Sequence, residues 1–107
     1  MNPELDHAIR EYEPVNGSFV ELEKLFEKAF LSPNPAEYYD AFFNLFERFP
    51  DDDGAGVFWS ALHGMESVGG YEVKLKQYWR RWPNLMNRAM MERLSKEEEE
   101  KSAVEIK

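Results

Sequence analysis

Residues 34–50 read Asn-Pro-Ala-Glu-Tyr-Tyr-Asp-Ala-Phe-Phe-Asn-Leu-Phe-Glu-Arg-Phe-Pro. Asn34 offers a cap, Pro35 suits the first helical position and Glu37 falls in the first turn. Tyr38, Tyr39, Phe42, Phe43, Phe46 and Phe49 then recur at helical spacing as a broad aromatic stripe. Pro50 closes the segment by restricting the residue before it. Tyr38 and Tyr39 are adjacent, so they point about 100° apart on a helix, and one of them is expected to be partly exposed.

The same punctuation repeats on both sides. Upstream, Asn2-Pro3 opens a helix that should end near Glu13, before Pro14. Val15-Asn16-Gly17 reads as a turn. Ser18 and Glu21 have capping-box spacing, followed by Leu22, Leu25, Phe26, Ala29 and Phe30, and Ser32-Pro33 ends the run. Downstream, Asp51-Asp52-Asp53-Gly54 reads as a helix start with Asp53 as N-cap, ahead of an apolar face of Phe58, Ala61, Leu62 and Met65. Gly69-Gly70 is a stop. Tyr71, Leu75, Tyr78, Trp79 and Trp82 make a fifth stripe, with Arg80 and Arg81 in its last turn. After Pro83, Asn84 caps a sixth, built on Leu85, Met86, Ala89, Met90 and Leu94. No segment shows sustained period-2 alternation, so the expected fold is all-α: about six helices on short loops. Starts at Ser18 and Gly54, or Pro35 and Tyr71, are 36 residues apart. That spacing suits a compact helix-pair, α-solenoid-like bundle, although the pairs do not resemble each other in sequence. Residues 1–95 form the expected domain. Residues 96–107 are expected as a charged, frayed tail, because four consecutive Glu at a helix C-terminus oppose the dipole.

With 107 residues, 43% apolar and 15% aromatic, the chain is one domain with a real core. There is no Cys, which removes disulfides, thiolate metal sites and a cysteine nucleophile. The longest uncharged run, residues 54–65, has 12 residues, too short to span a bilayer. The start lacks a basic n-region and an apolar h-region, so no secretory signal is expected there.

Charge is uneven. Residues 1–70 hold 14 acids and 4 bases, residues 71–94 hold 2 acids and 6 bases, and the whole chain carries −8. An acidic body argues against nucleic-acid binding, which needs clustered Lys and Arg. Stacking of Trp79 and Trp82 on bases, among Lys74, Lys76, Arg80 and Arg81, would face repulsion from the rest of the molecule.

Chemistry is sparsely written. His63 and Glu66 have an i, i+3 spacing that metal ligands use, but His7 is the only other histidine. A helix histidine bonded to a neighbouring carboxylate or carbonyl is the simpler reading. Asp51 to Gly54 fails the EF-hand spacing, since position twelve would be Ser60. Gly54-Ala55-Gly56 lacks the Lys-Ser/Thr of a phosphate loop, and no serine sits in a nucleophile elbow. No catalytic residue, metal or cofactor is expected.

The stretch from Val57 to Glu66, then Tyr71, Trp82-Pro83 and Arg88 to Leu94, resembles small all-helical immunity proteins of bacterial polymorphic-toxin and contact-dependent inhibition systems. Those carry an F-x-x-x-x-H-x-x-E helix, matched by Phe58, His63 and Glu66. An R-x-x-x-R-L helix follows, loosely met by Arg88 to Leu94, with Ser95 where a small polar residue, commonly Asn, often stands. The likeness covers the C-terminal half, and its motif residues would be scaffold residues in that family rather than a catalytic set. It implies a cytoplasmic protein that binds and neutralises one toxin domain. Many such toxins are nucleases with basic clefts, which an acidic partner would occlude. On the charge distribution, the contacts are expected at Glu37, Tyr39, Asp40, Glu47, Asp51, Asp52 and Asp53, with Trp59 and Glu66 second. No membrane or nucleic-acid partner is expected, and the oligomeric state is left open. The alternative is a helical adaptor that binds a peptide or partner helix in an aromatic-lined groove.

Overall fold

A computed structural model describes the backbone of residues 1–106 and the side chains of residues 1–100. It contains six α-helices: α1 (Pro3–Arg10), α2 (Val20–Phe30), α3 (Tyr39–Arg48), α4 (Phe58–Val68), α5 (Glu72–Arg81) and α6 (Leu85–Ile106). A 3-10 turn, Pro35–Tyr38, leads into α3. Among the described residues there is no strand, and an isolated bridge between Val15 and Ser18 closes the turn from α1 to α2.

The helices stack as pairs. α1 packs on α3 and α3 on α5, while α2 packs on α4 and α4 on α6, so odd and even helices form two rows. Within each pair, α1 meets α2, α3 meets α4 and α5 meets α6. This is the layout that the 36-residue spacing anticipates.

α3 sits where the rows meet. Tyr39, Ala41, Phe42, Phe43, Leu45 and Phe46 are all buried there. Each large apolar side chain so buried is worth ~1.5–3 kcal/mol before entropy is counted. The rings meet edge-on or offset, as their quadrupoles prefer. Phe42 stacks on Phe30 at 5.2 Å and meets Phe26 edge-on at 5.3 Å. Phe43 stacks on Tyr78 of α5 at 4.9 Å. Phe46 lies 5.5 Å from Phe58 of α4.

Both tyrosines at the head of α3 are buried, at 2% and 0% exposure, contrary to the expectation that one faces solvent. The chain covers each with a different segment. The Asn2 N–H donates to the Tyr38 hydroxyl at 2.9 Å. The Tyr39 hydroxyl donates to the Gly69 carbonyl at 2.7 Å, tying the end of α4 to the start of α3.

Asn2 and Asn84 cap as read. Asn2 Oδ1 accepts from the Glu4 and Leu5 amides, and Asn84 Oδ1 accepts from the Asn87 amide. Three other expected helix starts fail. The Ser18 amide donates to the Val15 carbonyl, so it is not available to Glu21, and no capping box closes; Glu21 pairs with Lys24 instead. Asn34 makes no side-chain cap and leads into the 3-10 turn. Asp53 caps a turn rather than α4: its Oδ1 accepts from the Gly56 amide, and the helix begins only at Phe58.

Helical backbone continues past Ser95 to Ile106. Leu94 is buried, and residues 95–100 are exposed helix. Glu98 reaches back to Lys76 of α5 at 3.7 Å. The side chains of residues 101–107, in the part of the sequence read as a frayed tail, lie outside the described residues.

Gly64 of α4 lies directly against the Phe30 ring of α2. A β-carbon there would stand 2.2 Å from the Phe30 ring, which is itself stacked on Phe42. Gly64→Ala gains helix propensity of up to ~1 kcal/mol but must displace that ring. The expected net result is a destabilisation of about 1–2 kcal/mol. Thermal unfolding followed by circular dichroism should fall by roughly 5–10 °C; an unchanged midpoint would show that the Phe30 ring yields without cost.

Candidate protein-binding surface

The acidic and basic blocks of the sequence meet in space. Asp40 of α3 accepts from Lys74 Nζ of α5 at 2.9 Å. Glu47 of α3 pairs with Arg81 of α5. Glu66 of α4 takes a bidentate grip from Arg93 of α6, at 2.8 and 2.9 Å. Arg48, at the end of α3, pairs with Glu13 and donates to the Arg10 and Tyr12 carbonyls at 2.7 and 2.8 Å, which satisfies the end of α1. Much of the charge asymmetry therefore closes the fold on itself. Among the described residues, seven of the fourteen acids in residues 1–70 sit in ion pairs with the chain's own cations.

Asp40 is the best connected of the carboxylates. Burial pushes its carboxyl up. The hydrogen bonds from Lys74 and Tyr78, with the charges of Lys74 and Arg10, outweigh that and hold it below its ordinary value. Tyr78 in turn is pushed up to about 12, by burial first and then by the Asp40 carboxylate to which it donates at 2.9 Å. The pair is a permanent link between α3 and α5 at neutral pH.

The nine residues expected to contact a partner therefore do not form one patch. Tyr39 is wholly buried and presents nothing to a partner. Asp40, Glu47 and Glu66 are spoken for by cations of α5 and α6. Glu37 pairs with the Met1 amino group at 3.2 Å, at the opposite end of α3 from the 51–57 loop. Trp59 is half-buried, packs against the core and lies 5.9 Å from the His63 ring. His63 Nδ1 is 3.6 Å from Glu66, whose oxygens both serve Arg93. Glu66 and Arg93 belong to the two motif helices, so the motif residues join α4 to α6. Asp51, Asp52 and Asp53 remain: three consecutive carboxylates without an ion pair among the described residues.

Their loop is rigidly made. Asp52 Oδ1 accepts from the Gly54 amide at 2.8 Å, and the Asp53 carbonyl accepts from the Gly56 and Phe58 amides. Gly54, Ala55 and Gly56 are all left-handed, with φ of 61°, 54° and 93°. At Gly54 a side chain would also strike the Phe58 ring at 2.8 Å.

Pair stacking brings the α1–α2, α3–α4 and α5–α6 loops to one end of the molecule. The acidic loop is the middle one. Phe19 meets Phe49 edge-on at 5.3 Å, and Arg48 holds the chain after α1. On the other side, the Leu85 amide donates to the Pro50 carbonyl at 2.8 Å. Exposed apolar side chains flank the acids on both sides: Val15 and Val20 on one, Trp82 and Leu85 on the other. Sequence reading placed Trp82 with the basic segment and gave Leu85 to the core. The signal for both was the Pro83-Asn84 break, which puts them on a corner.

Elsewhere the surface offers open grooves. One of about 590 Å³ is lined by Trp79, Met91, Glu92, Ser95, Lys96 and Glu99. Another, of about 470 Å³, runs between α1 and α2 over Leu5, Ala8 and Leu25. Among the described residues no three His, Asp or Glu side chains are placed to share a metal ion, and no helix is long and apolar enough to cross a membrane. No family model, no curated protein and no solved structure matches the chain.

The lowered Asp40 value sets a pH dependence. A carboxyl with a folded value below its unfolded one, about 3.9, stabilises the fold above that pH. The contribution disappears as pH falls through the folded value. At 40% side-chain exposure the link with Lys74 is screened, so its worth is at most about 1 kcal/mol. Asp40→Asn should lower the unfolding midpoint at pH 7, and the gap from the native protein should narrow as pH drops below about 4. A gap that stays constant from pH 7 to pH 3 would show that the Asp40 charge contributes nothing.

Proposed function

We propose that the chain is an immunity protein, acting in the cytoplasm, that binds and neutralises a cationic bacterial toxin domain. The resemblance of residues 57–94 to that family supports the reading. So does a net charge of −8, which steers a basic partner into encounter at low and physiological salt. The observation that carries it is the middle loop. With Asp40, Glu47 and Glu66 paired internally, Asp51, Asp52 and Asp53 are the consecutive carboxylates left uncompensated, on a backbone that is already ordered. Carboxylates on such a loop take the place of phosphates in a basic cleft. The mechanism is occlusion, with no chemistry performed by this chain.

A peptide-binding adaptor is the second reading, favoured by the open groove between α5 and α6 beside Trp79 and Met91. It predicts a partner that follows the groove and is insensitive to the acidic loop.

The test begins with the product of the reading frame adjacent to the one encoding this chain. Expressed alone it should kill cells, and this chain should rescue them. In purified form, reversing all three charges (Asp51→Lys, Asp52→Lys, Asp53→Lys) should weaken the complex at least tenfold near physiological salt and flatten its salt dependence. A harmless neighbour, or an affinity and salt slope unmoved by the reversal, would overturn the proposal.

A further inference from the structure

We infer that Trp82, assisted by Leu85, is the apolar anchor of the three-loop end and inserts into an apolar pocket on a protein whose surrounding surface is cationic. This rests on the docking role proposed above and deepens it by naming the residue that holds the complex once charge has brought it together.

Trp82 is 54% exposed, the one aromatic among the large exposed apolar side chains, and Leu85 beside it is 42% exposed. An indole left in water by a fold that buries Phe42, Phe43 and Phe46 completely is unspent apolar area. Trp is also among the residue types that dominate binding energies when desolvated.

The backbone beneath the ring is held on both sides. The Trp82 amide donates to the Tyr78 carbonyl at 2.8 Å, and its carbonyl accepts from Asn84 Nδ2 at 3.3 Å. Pro83 fixes the next φ, and the Leu85 amide is bonded to Pro50. A partner meets an anchor whose main chain needs no further ordering, which lowers the entropic cost of association. Arg81, the cation next in sequence, is turned away: it pairs with Glu47 and lies over the Tyr78 ring at 4.7 Å. It neither covers the indole nor competes for it.

Charge selects the occupant. The same hydrogen bond from Leu85 to Pro50 sets the indole corner beside the head of the Asp51–Asp53 loop. A partner that seats Trp82 must therefore bring its rim against three carboxylates that have no cation beside them among the described residues. Lys or Arg on that rim is attracted, and acid is repelled. Arg on the rim gains a face of the indole as well.

The test uses the full chain and the adjacent frame's product, at two salt concentrations. Trp82→Ala should raise Kd at least tenfold with an unchanged salt slope, because the lost contact is apolar. Leu85→Ala should raise it by less. The unfolding midpoint should fall only slightly with either substitution, since both side chains are about half exposed, and the comparison of Kd is made where both proteins are fully folded. The Asp51 to Asp53 reversal, by contrast, changes both Kd and slope. As an independent readout, in the Trp59→Phe, Trp79→Phe protein the remaining Trp82 emission should move to shorter wavelength on complex formation.

A Trp82→Ala Kd within twofold of the native value, or an emission spectrum unmoved by binding, overturns the anchor. If the charge reversal still weakens the complex in that case, the electrostatic reading stands without it. If the native chain does not bind the product at all, the proposed function falls and the anchor with it.

Discussion

The fold depends on burying the broad apolar face of α3. A helix with one narrow apolar stripe can be satisfied by one partner. α3 carries Tyr39, Ala41, Phe42, Phe43, Leu45 and Phe46, all buried, and these residues span about 200° of its circumference. No single neighbour covers that surface. α1 and α5 lie beside it in one row, α4 and α6 pack against it from the other, and rings from α2 reach it through Phe26 and Phe30. The stacking of helix pairs is thus the solution to a packing problem set by residues 39–46. Its consequence for function is geometric: a stack of pairs delivers alternate loops to the same end, whatever those loops contain.

Electrostatics then acts within this packing. Seen along the chain, the acids of the first two-thirds and the bases of α5 and α6 look like two separate surfaces. In the folded protein, α5 and α6 pack against α3 and α4, and opposite signs fall into register at Asp40–Lys74, Glu47–Arg81 and Glu66–Arg93. Surface pairs of this kind contribute little each, about 0–1 kcal/mol. Their larger effect is to remove charge from view. Charge available to a partner is what remains after internal pairing, and much of it remains in a loop, where no opposing helix runs alongside.

This explains which parts were legible in the sequence. Six helices could be read because Asn2-Pro3, Ser32-Pro33, Pro50, Gly69-Gly70 and Pro83-Asn84 act locally, through φ restriction and orphan amides, and owe nothing to distant contacts. Ser18 and Asp53 defeated the same reading because the residue types that cap helices also close turns. What decided them was the Val15–Ser18 bridge and the left-handed run at residues 54–56. The site was less legible still. Asp40 and Lys74 are 34 residues apart, as are Glu47 and Arg81. No count of charge by segment can tell a carboxylate that is paired from one that is free. Tyr39 is the plainest case. Its place in an acidic, exposed-looking segment suggested a contact residue, whereas its hydroxyl is needed by Gly69 at the end of α4.

On the proposed reading, the three-loop end works by recognition rather than by chemistry. A catalytic cleft concentrates polar groups inward, where low dielectric shifts their proton affinities. Here Tyr78, raised to about 12 by burial and by Asp40, and Asp40, lowered by Lys74 and Tyr78, link α3 to α5. Asp51 and Asp52 are exposed instead, and Asp53 partly so. The hydrogen bonds of the 52–58 turn and the Leu85–Pro50 link spend their energy on holding the backbone still. On the proposed reading, a hydrogen-bonded main chain, exposed carboxylates and a half-exposed indole serve recognition of another folded surface.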